Sequence, residues 1–569
     1  MNDYQKYNMK PARWAWLVLL LNILTSGCAS QRGGQPASTI FSDTLSPTLF
    51  PRLLKLEDQG RLIIDKVLLQ SVAEQYNNPS QQILQNHLSQ TTDKRLLANR
   101  AFTQAQQSLS VSNTISQNGY ALALSHYLTD RTYACHSPLY AQYFAARYQR
   151  QLSYENCANK LPINVITESG ERILWLNPER ISQVHLLFAG EDDNLMSQFG
   201  HISLRLVVCP ENDFSQDACD QNLYEHLVLG FRAHVDDITI STMKGLLGDY
   251  RAYLYANNFM DIYKEYTIEE FRDIYSLPLK LSPQQREDML RGLAEIHWRF
   301  AGDYKFLTKN CSTLLQSALI ALWPDYATNT ELQGFWRPDS FFSEMRDSEL
   351  TEYQQLEDLK LAEENGFFFA SNEPIYKKAL AVVSEAMQRP SFNNLEDYMH
   401  ISPIVRYKML EQDRQFYQQL KQDRYLHGAQ LLLEQLSVVQ YLARMKSGMA
   451  HFFNRHSIGD VNQHMKSTLN NTDYAVFASC ILKPMMAYLQ PQKRSNGIPT
   501  KKSLANPAIA TLSCESNETQ MILGTIRDEL QTIDPESWRP IKLFMLSRIA
   551  AQYNIEKLLA IEPSKGKRS

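Results

Sequence analysis

Residues 199–208 read Phe199-Gly200-His201-Ile202-Ser203-Leu204-Arg205-Leu206-Val207-Val208. A glycine followed by a run of β-branched and apolar residues is the pattern of a strand entered from a turn. The same texture surrounds it at 164–167, 173–176, 183–188 and 225–233. Downstream, Tyr304-Lys305-Phe306-Leu307-Thr308-Lys309-Asn310-Cys311 leads into an apolar-periodic run that stops at Trp323-Pro324. That spacing predicts a helix over 311–323, with Thr308 or Asn310 as the capping side chain. Strands first and helices later make 162–330 an α+β unit.

Helical periodicity lies on either side. In 51–161, Leu53, Leu54, Leu62, Ile63, Val67 and Leu68 fit the stripe of a first helix, and the whole stretch is expected to form a helical domain. From 331 to 569 the pattern is mainly helical, with long segments at 374–388, 404–446, 462–489 and 518–560. The 404–446 run is long enough for a helical hairpin or an extended arm. Thr267 with Glu270, and Ser282 with Gln285 followed by Pro283 at the first helical position, have capping-box spacing.

Charge and motif content exclude several functions. The 57 basic residues against 61 acidic ones, net −4, leave no basic footprint for nucleic acid. Aromatics at 11% argue against long disorder. No H-E-x-x-H, C-x-x-C or P-loop spacing occurs, so neither a metal nor a nucleotide cofactor is expected.

The first residues set the compartment. Residues 14–24 (WAWLVLLLNIL) follow Lys6, Lys10 and Arg13 and are too short to span a bilayer, which fits a secretory signal. The run ends Leu24-Thr25-Ser26-Gly27-Cys28-Ala29, which resembles the lipobox of bacterial lipoproteins. By that resemblance 1–28 is a signal peptide, Cys28 is acylated, 29–50 is a tether, and the protein sits at the periplasmic face of the outer membrane.

Of eight cysteines, Cys28 then leaves seven, an odd number outside the cytoplasm. Six fall into neighbouring couples, Cys135 with Cys157, Cys209 with Cys219, and Cys480 with Cys514, which leaves Cys311. A helix start lowers a thiol pKa, so Cys311 is a candidate nucleophile. His201, at a loop-to-strand edge, is the candidate base of a Cys–His dyad. If 201–208 and 225–233 form a hairpin, His234 is the candidate third member. Asn310 and Tyr304 are candidate positioning residues, and the Cys311 backbone N–H a candidate oxyanion donor. The Tyr-rich stretch 250–266 reads either as a groove wall or as ordinary packing.

The motif Gly190-x8-Phe199-Gly200-His201, followed by the Asn310-Cys311 helix start, resembles the Lnb-type N-terminal periplasmic domain family. Tyr263-x2-Tyr266-x3-Glu270-x-Arg272 and Leu279-x-Leu281-Ser282 add to the likeness, which covers about 180–325. That family belongs with the circularly permuted papain-like proteins, alongside lecithin:retinol acyltransferase and NlpC/P60 relatives. The resemblance implies a small permuted papain-like core between mainly helical flanks, with Cys311 as nucleophile and His201 as base. It points to acyl transfer, such as N-acylation of lipoproteins from a phospholipid donor. Two alternatives stay open: NlpC/P60-like hydrolysis of a peptide or amide bond, and a non-catalytic envelope scaffold.

Overall fold

The structure is a computed structural model. It describes residues 54–56, 62–64, 127, 132–147, 152, 154–155, 157–167, 170–191, 199–234, 250–387, 394–483, 494–495, 497–504 and 517–561. The expected signal segment, Cys28 and Cys514 lie outside these residues. The chain divides into two compact units, Met1–Leu69 and Gln70–Ser569.

In the first unit, β1 (Leu54–Leu56) and β2 (Leu62–Ile64) pair antiparallel, with Leu54 opposite Ile64 and Leu56 opposite Leu62. The first helix expected through these leucines is therefore corrected. Leu54/Leu56 and Leu62/Ile64 also alternate with period two, and Asp58-Gln59-Gly60 between them has turn chemistry.

In the second unit, α1 (Pro138–Arg147) follows a helical turn held by the Cys135–Cys157 disulfide. The expected strands are present: β3 (Leu161–Thr167), β4 (Gly170–Leu176), β5 (Ile181–Ala189), β6 (His201–Val208) and β7 (Leu227–His234). The Tyr-rich stretch becomes β8 (Tyr250–Asn258), which runs into α2 (Phe259–Tyr263) and a π-helical turn, Lys264–Glu269. Next come β9 (Ile274–Pro278), α3 (Pro283–Arg299), β10 (Gly302–Tyr304), α4 (Cys311–Leu322), α5 (Pro338–Arg346) and β11 (Phe368–Phe369).

These strands form one nine-stranded sheet in the order β11-β9-β5-β6-β7-β8-β3-β4, with β10 added to β8. Every pairing is antiparallel except β3 with β8. The alternation of side chains along a strand sends Ile202, Leu204 and Leu206 to one face and Ser203 and Arg205 to the other. All five are buried, so both faces of β6 are covered. A nearly continuous apolar run is the sequence mark of such a strand.

Helix α3 begins with the expected capping box: the Gln285 N–H donates to Ser282 Oγ (3.2 Å), and the Ser282 N–H donates to Gln285 Oε1 (2.9 Å). Its His297 fixes the helix to the sheet. Nδ1 donates to the Leu254 carbonyl (2.8 Å) while Nε2 accepts from the Asn164 N–H (3.0 Å). The second expected capping box is absent. Thr267 lies inside the π-helical turn, and its hydroxyl donates to the Tyr263 carbonyl at 2.8 Å.

The C-terminal half is helical, with α6 (Glu373–Ala386), α7 (Pro403–Gln412), α8 (Arg424–Arg455), α9 (Asn517–Ile533) and α10 (Pro535–Leu559). The run expected as one hairpin or arm is three helices, because Asp413 and Asp423 each cap the next one. Arg406 and Glu434 form a buried bidentate pair at 2.8 and 2.9 Å. No helix among the described residues is long and apolar enough to cross a membrane.

Candidate functional site

Cys311 is the free cysteine among the described residues, and it is buried. Cys209–Cys219 closes the loop between β6 and β7, and Cys480 is disulfide-bonded, its expected partner Cys514 lying outside the described residues. The thiol left over by neighbour pairing is thus the one that stays reduced.

Cys311 opens α4, and Asn310 is the cap. Asn310 Oδ1 accepts from the N–H groups of Ser312 (3.0 Å) and Thr313 (3.2 Å), and Thr313 Oγ1 accepts from the Asn310 N–H (3.0 Å). Asn310 Nδ2 donates to the carbonyls of Phe306 and Trp336, both at 2.8 Å. The segment that receives this bond also reaches the histidine motif. Trp336 packs edge-on against Phe199 at 5.2 Å, Arg337 lies over the Phe199 ring, and the Asp339 N–H donates to the Phe199 carbonyl. Residues 335–339 therefore tie the cysteine helix to the turn before His201. Sequence reasoning missed this strap, since nothing in Gly334-Phe335-Trp336-Arg337 marks it as more than an aromatic loop.

The backbone N–H groups of Ile202, Ser312 and Cys311 itself and the Tyr304 hydroxyl lie around the Cys311 sulfur and each favour its charged form. Strand β6 thus meets the thiol one residue from His201. The expectation of a thiolate favoured by the helix start needs correcting. Burial pushes the thiol up and outweighs these donors, so the resting group is a neutral thiol. The Cys311 N–H, expected to serve an oxyanion, also interacts with the Tyr304 oxygen.

His201 is set by Gly200, whose φ of +79° suits glycine. A Cβ at Gly200 would lie 2.4 Å from the Phe188 ring and 2.5 Å from the Ala189 carbonyl. The His201 ring lies 6.3 Å from that of Tyr266. Its Nε2 is buried, has no hydrogen-bond partner among the described residues and lies 3.5 Å from where a Cβ on Gly230 would stand. Burial, then the charges of Arg232 and Arg272, push its pKa well down, which leaves a neutral imidazole.

Both arginines are anchored. Arg232 donates to the Tyr266 hydroxyl (3.2 Å) and pairs with Glu265 (3.5 Å). Arg272 donates to the carbonyls of Gly190 (2.7 Å) and Ala189 (3.0 Å), pairs with Glu270 (2.6 Å) and lies over the Tyr266 ring. The preceding residue, Phe271, has φ of +55°, a strained conformation for a bulky side chain. Arg272 and Glu270 were part of the quoted motif, but their job of fixing the end of β5 was not legible.

His234, the expected third member, accepts or donates at Nδ1 to the Tyr255 hydroxyl (3.1 Å) and packs edge-on against Tyr253 at 5.7 Å. The β6–β7 pairing is recorded from Leu204 opposite Leu229 to Leu206 opposite Leu227. Continuing that register, Arg232 is the residue that would face His201. Among the described residues no group of His, Cys, Asp and Glu has the geometry to hold a metal ion.

The geometry above lies inside one stretch of chain with a known likeness. Residues 175–342 match the family described as the Lnb N-terminal periplasmic domain. The matched stretch starts at the end of β4 and stops within α5, so it contains His201, Tyr304, Cys311 and the 335–339 strap. The Lnb family description is of a periplasmic domain, which agrees with the disulfides. No curated protein and no solved structure matches the chain.

Proposed function

We propose that this protein is a lipid-anchored thiol enzyme of the cell envelope that transfers an acyl group through Cys311. The observation that carries the reading is the unpartnered, buried His201 Nε2 on the strand whose next residue, Ile202, has its N–H near the Cys311 sulfur. A neutral imidazole and a neutral thiol are the ground state of a dyad in which proton transfer accompanies attack. In this reading His201 takes the thiol proton as the sulfur attacks. The sulfur adds to the acyl carbonyl of a phospholipid ester, and the lysophospholipid leaves with the proton from His201. An acceptor amine, on a lipoprotein N-terminus, then attacks the thioester, giving up its proton to His201 and restoring the thiol. In this reading Tyr304 donates to the sulfur as it gains charge. The match of residues 175–342 to the Lnb N-terminal periplasmic domain supports the envelope setting, and the lipobox-like Cys28 supports the anchor.

Protein recovered from membranes and quenched in acid is expected to carry a fatty-acyl mass on Cys311. Cys311→Ser should remove it, and His201→Ala should lower its amount at least tenfold. A peptidyl mass on Cys311 would instead mark an envelope hydrolase. A thiol that carries no adduct and resists iodoacetamide at neutral pH would leave only a scaffold.

A further inference from the structure

Two disulfides join described residues, and they differ in access. Cys209 and Cys219 are fully buried, at 1% and 0% exposure, and cluster with Val207 of β6. Cys135 and Cys157 are partly exposed, and both line an open pocket of about 560 Å³. Ala158, Asn159 and Lys160, which follow Cys157, are exposed. Trp175 and Pro499 give the pocket apolar wall, while Lys160 and the exposed Lys501 give it positive charge. Among the described residues that line it, none is acidic. A thiol attacks a disulfide as its thiolate, and cationic surroundings favour the thiolate. A disulfide in the wall of such a pocket is open to exchange, whereas a fully buried one is shielded from it.

The exposed bridge also holds a lightly packed segment. The buried apolar cluster beside it consists of Ala134, Ala141 and Tyr154, with Tyr133 and Leu152 partly buried against it. Tyr154 is the residue that docks on α3. Its hydroxyl donates to Asp288 Oδ1 at 3.0 Å and accepts from Gln142 Nε2 at 3.1 Å, and the Arg291 guanidinium lies over its ring. The Cys157 N–H donates to the Tyr154 carbonyl at 2.9 Å, so the bridge and the docking residue share one turn of chain. A segment with so little buried apolar surface opens at low free energy once its covalent tie is cut.

We propose that Cys135–Cys157 is a reversible redox site, reduced by a dithiol that enters this pocket, and that its opening releases the bridged segment from α3. A thiolate of the dithiol attacks Cys157 Sγ, on the side of the exposed 158–160 stretch. The S–S bond breaks, and Cys135 leaves as a thiolate and takes up a proton. The second thiolate of the dithiol then attacks the mixed disulfide and releases Cys157, which is protonated in turn. Two electrons pass to the chain, and the dithiol departs as its own disulfide. The inference is independent of the chemistry at Cys311 and of acylation at Cys28.

The test treats the full, folded chain with dithiothreitol at neutral pH, alkylates the thiols that form and locates them by peptide mass. Cys135 and Cys157 are expected to label at least about tenfold faster than Cys209 and Cys219, and the two couples at similar rates once urea unfolds the chain. Lys160→Glu combined with Lys501→Glu should slow the native step about threefold or more. Hydrogen exchange on the reduced chain should rise in Tyr133–His136 and in α1, with β6 and β7 unchanged, and glutathione disulfide should restore the original pattern. Cys209–Cys219 opening as fast as Cys135–Cys157 in the folded chain overturns the proposal. So does reduction of Cys135–Cys157 that leaves exchange in Tyr133–His136 and α1 as it was, which would make the bridge a passive staple. Neither result bears on an acyl adduct at Cys311, so the two readings fail separately.

Discussion

The Tyr304 hydroxyl sits near the Cys311 sulfur and favours its charged form, and the Cys311 N–H acts in return on the Tyr304 oxygen. The thiol thus has a donor at hand for the charge it gains on ionisation. A hydrogen bond to a charged group contributes about 1.5–3 kcal/mol, which corresponds to roughly one to two pKa units. Tyr304→Phe should therefore raise the Cys311 pKa by about that amount and slow its alkylation at neutral pH some ten- to a hundredfold. An alkylation rate that matches the parent across pH 6–10 would remove Tyr304 from the site.

Gly200 gives a second prediction. Its positive φ and the contacts a Cβ would make with Phe188 and Ala189 leave no room for a side chain. Gly200→Ala should cost about 1–3 kcal/mol and shift His201 with it. Denaturant unfolding should show the lost stability, and formation of the Cys311 adduct should fall in parallel. A variant with parental stability and full adduct would show that the turn before His201 is tolerant.

Acid sensitivity follows from three buried histidines and the half-buried His201. Burial is the first cause in each case, with Arg205 or the site arginines adding to it at three of them. His185 and His201 are pushed well below the ordinary value, His226 to about 3 and His297 to about 4. Each native pKa lies below the unfolded 6.5, so below that pH the unfolded state binds more protons and stability falls as pH falls. Each histidine contributes a slope approaching about 1.4 kcal/mol per pH unit until its own native pKa is passed. Glu295 and Asp220, whose carboxyls burial pushes up, act in the opposite sense but are fewer. The urea midpoint should be flat from pH 8 to 7 and drop steeply between 6 and 4.5. A midpoint that rises over that interval would contradict the assignment of neutral buried rings.

The pair Arg406–Glu434 offers a test confined to the helical half. Both side chains are buried, and Tyr398, Gln430 and Ser437 complete their hydrogen bonds. Removing one charge strands the other, at a cost of about 3–5 kcal/mol, while replacing both with apolar residues of similar volume costs far less. Arg406→Met and Glu434→Leu alone should each destabilise by that amount, and the double variant should recover most of it. Additive losses in the cycle would mean that the two charges do not depend on each other.

The strands of the sheet core were legible because their apolar runs are short, β-branched and bounded by turn residues. Helix α4 was legible because Asn310, the apolar period and Pro324 all agree. Cys311 stood out by elimination, and the structure keeps it free. The hairpin at β1 and β2 was misread because short leucine-rich segments fit both periods. Thr267 was misread because capping-box spacing also arises by chance inside a π-helical turn. The thiol's elevated pKa was hidden for a different reason: a sequence shows that a cysteine starts a helix, but not how deeply that end is buried. The 335–339 strap and the anchoring of Arg272 are long-range contacts, and no local pattern announces them.

The disulfides close short loops, of 10 and 22 residues, and both lie upstream of Cys311. Cys311 follows Cys219 by about 90 residues in the chain. At roughly 5–20 residues per second of synthesis, its emergence trails theirs by roughly five to twenty seconds. In a chain delivered N-terminus first, both upstream couples also reach an oxidising compartment before Cys311 does. By the time Cys480 arrives, β6, Tyr304 and the strap can already have enclosed it. Chain order then lets each upstream couple close before Cys311 can compete for it, a separation in time added to the separation by burial.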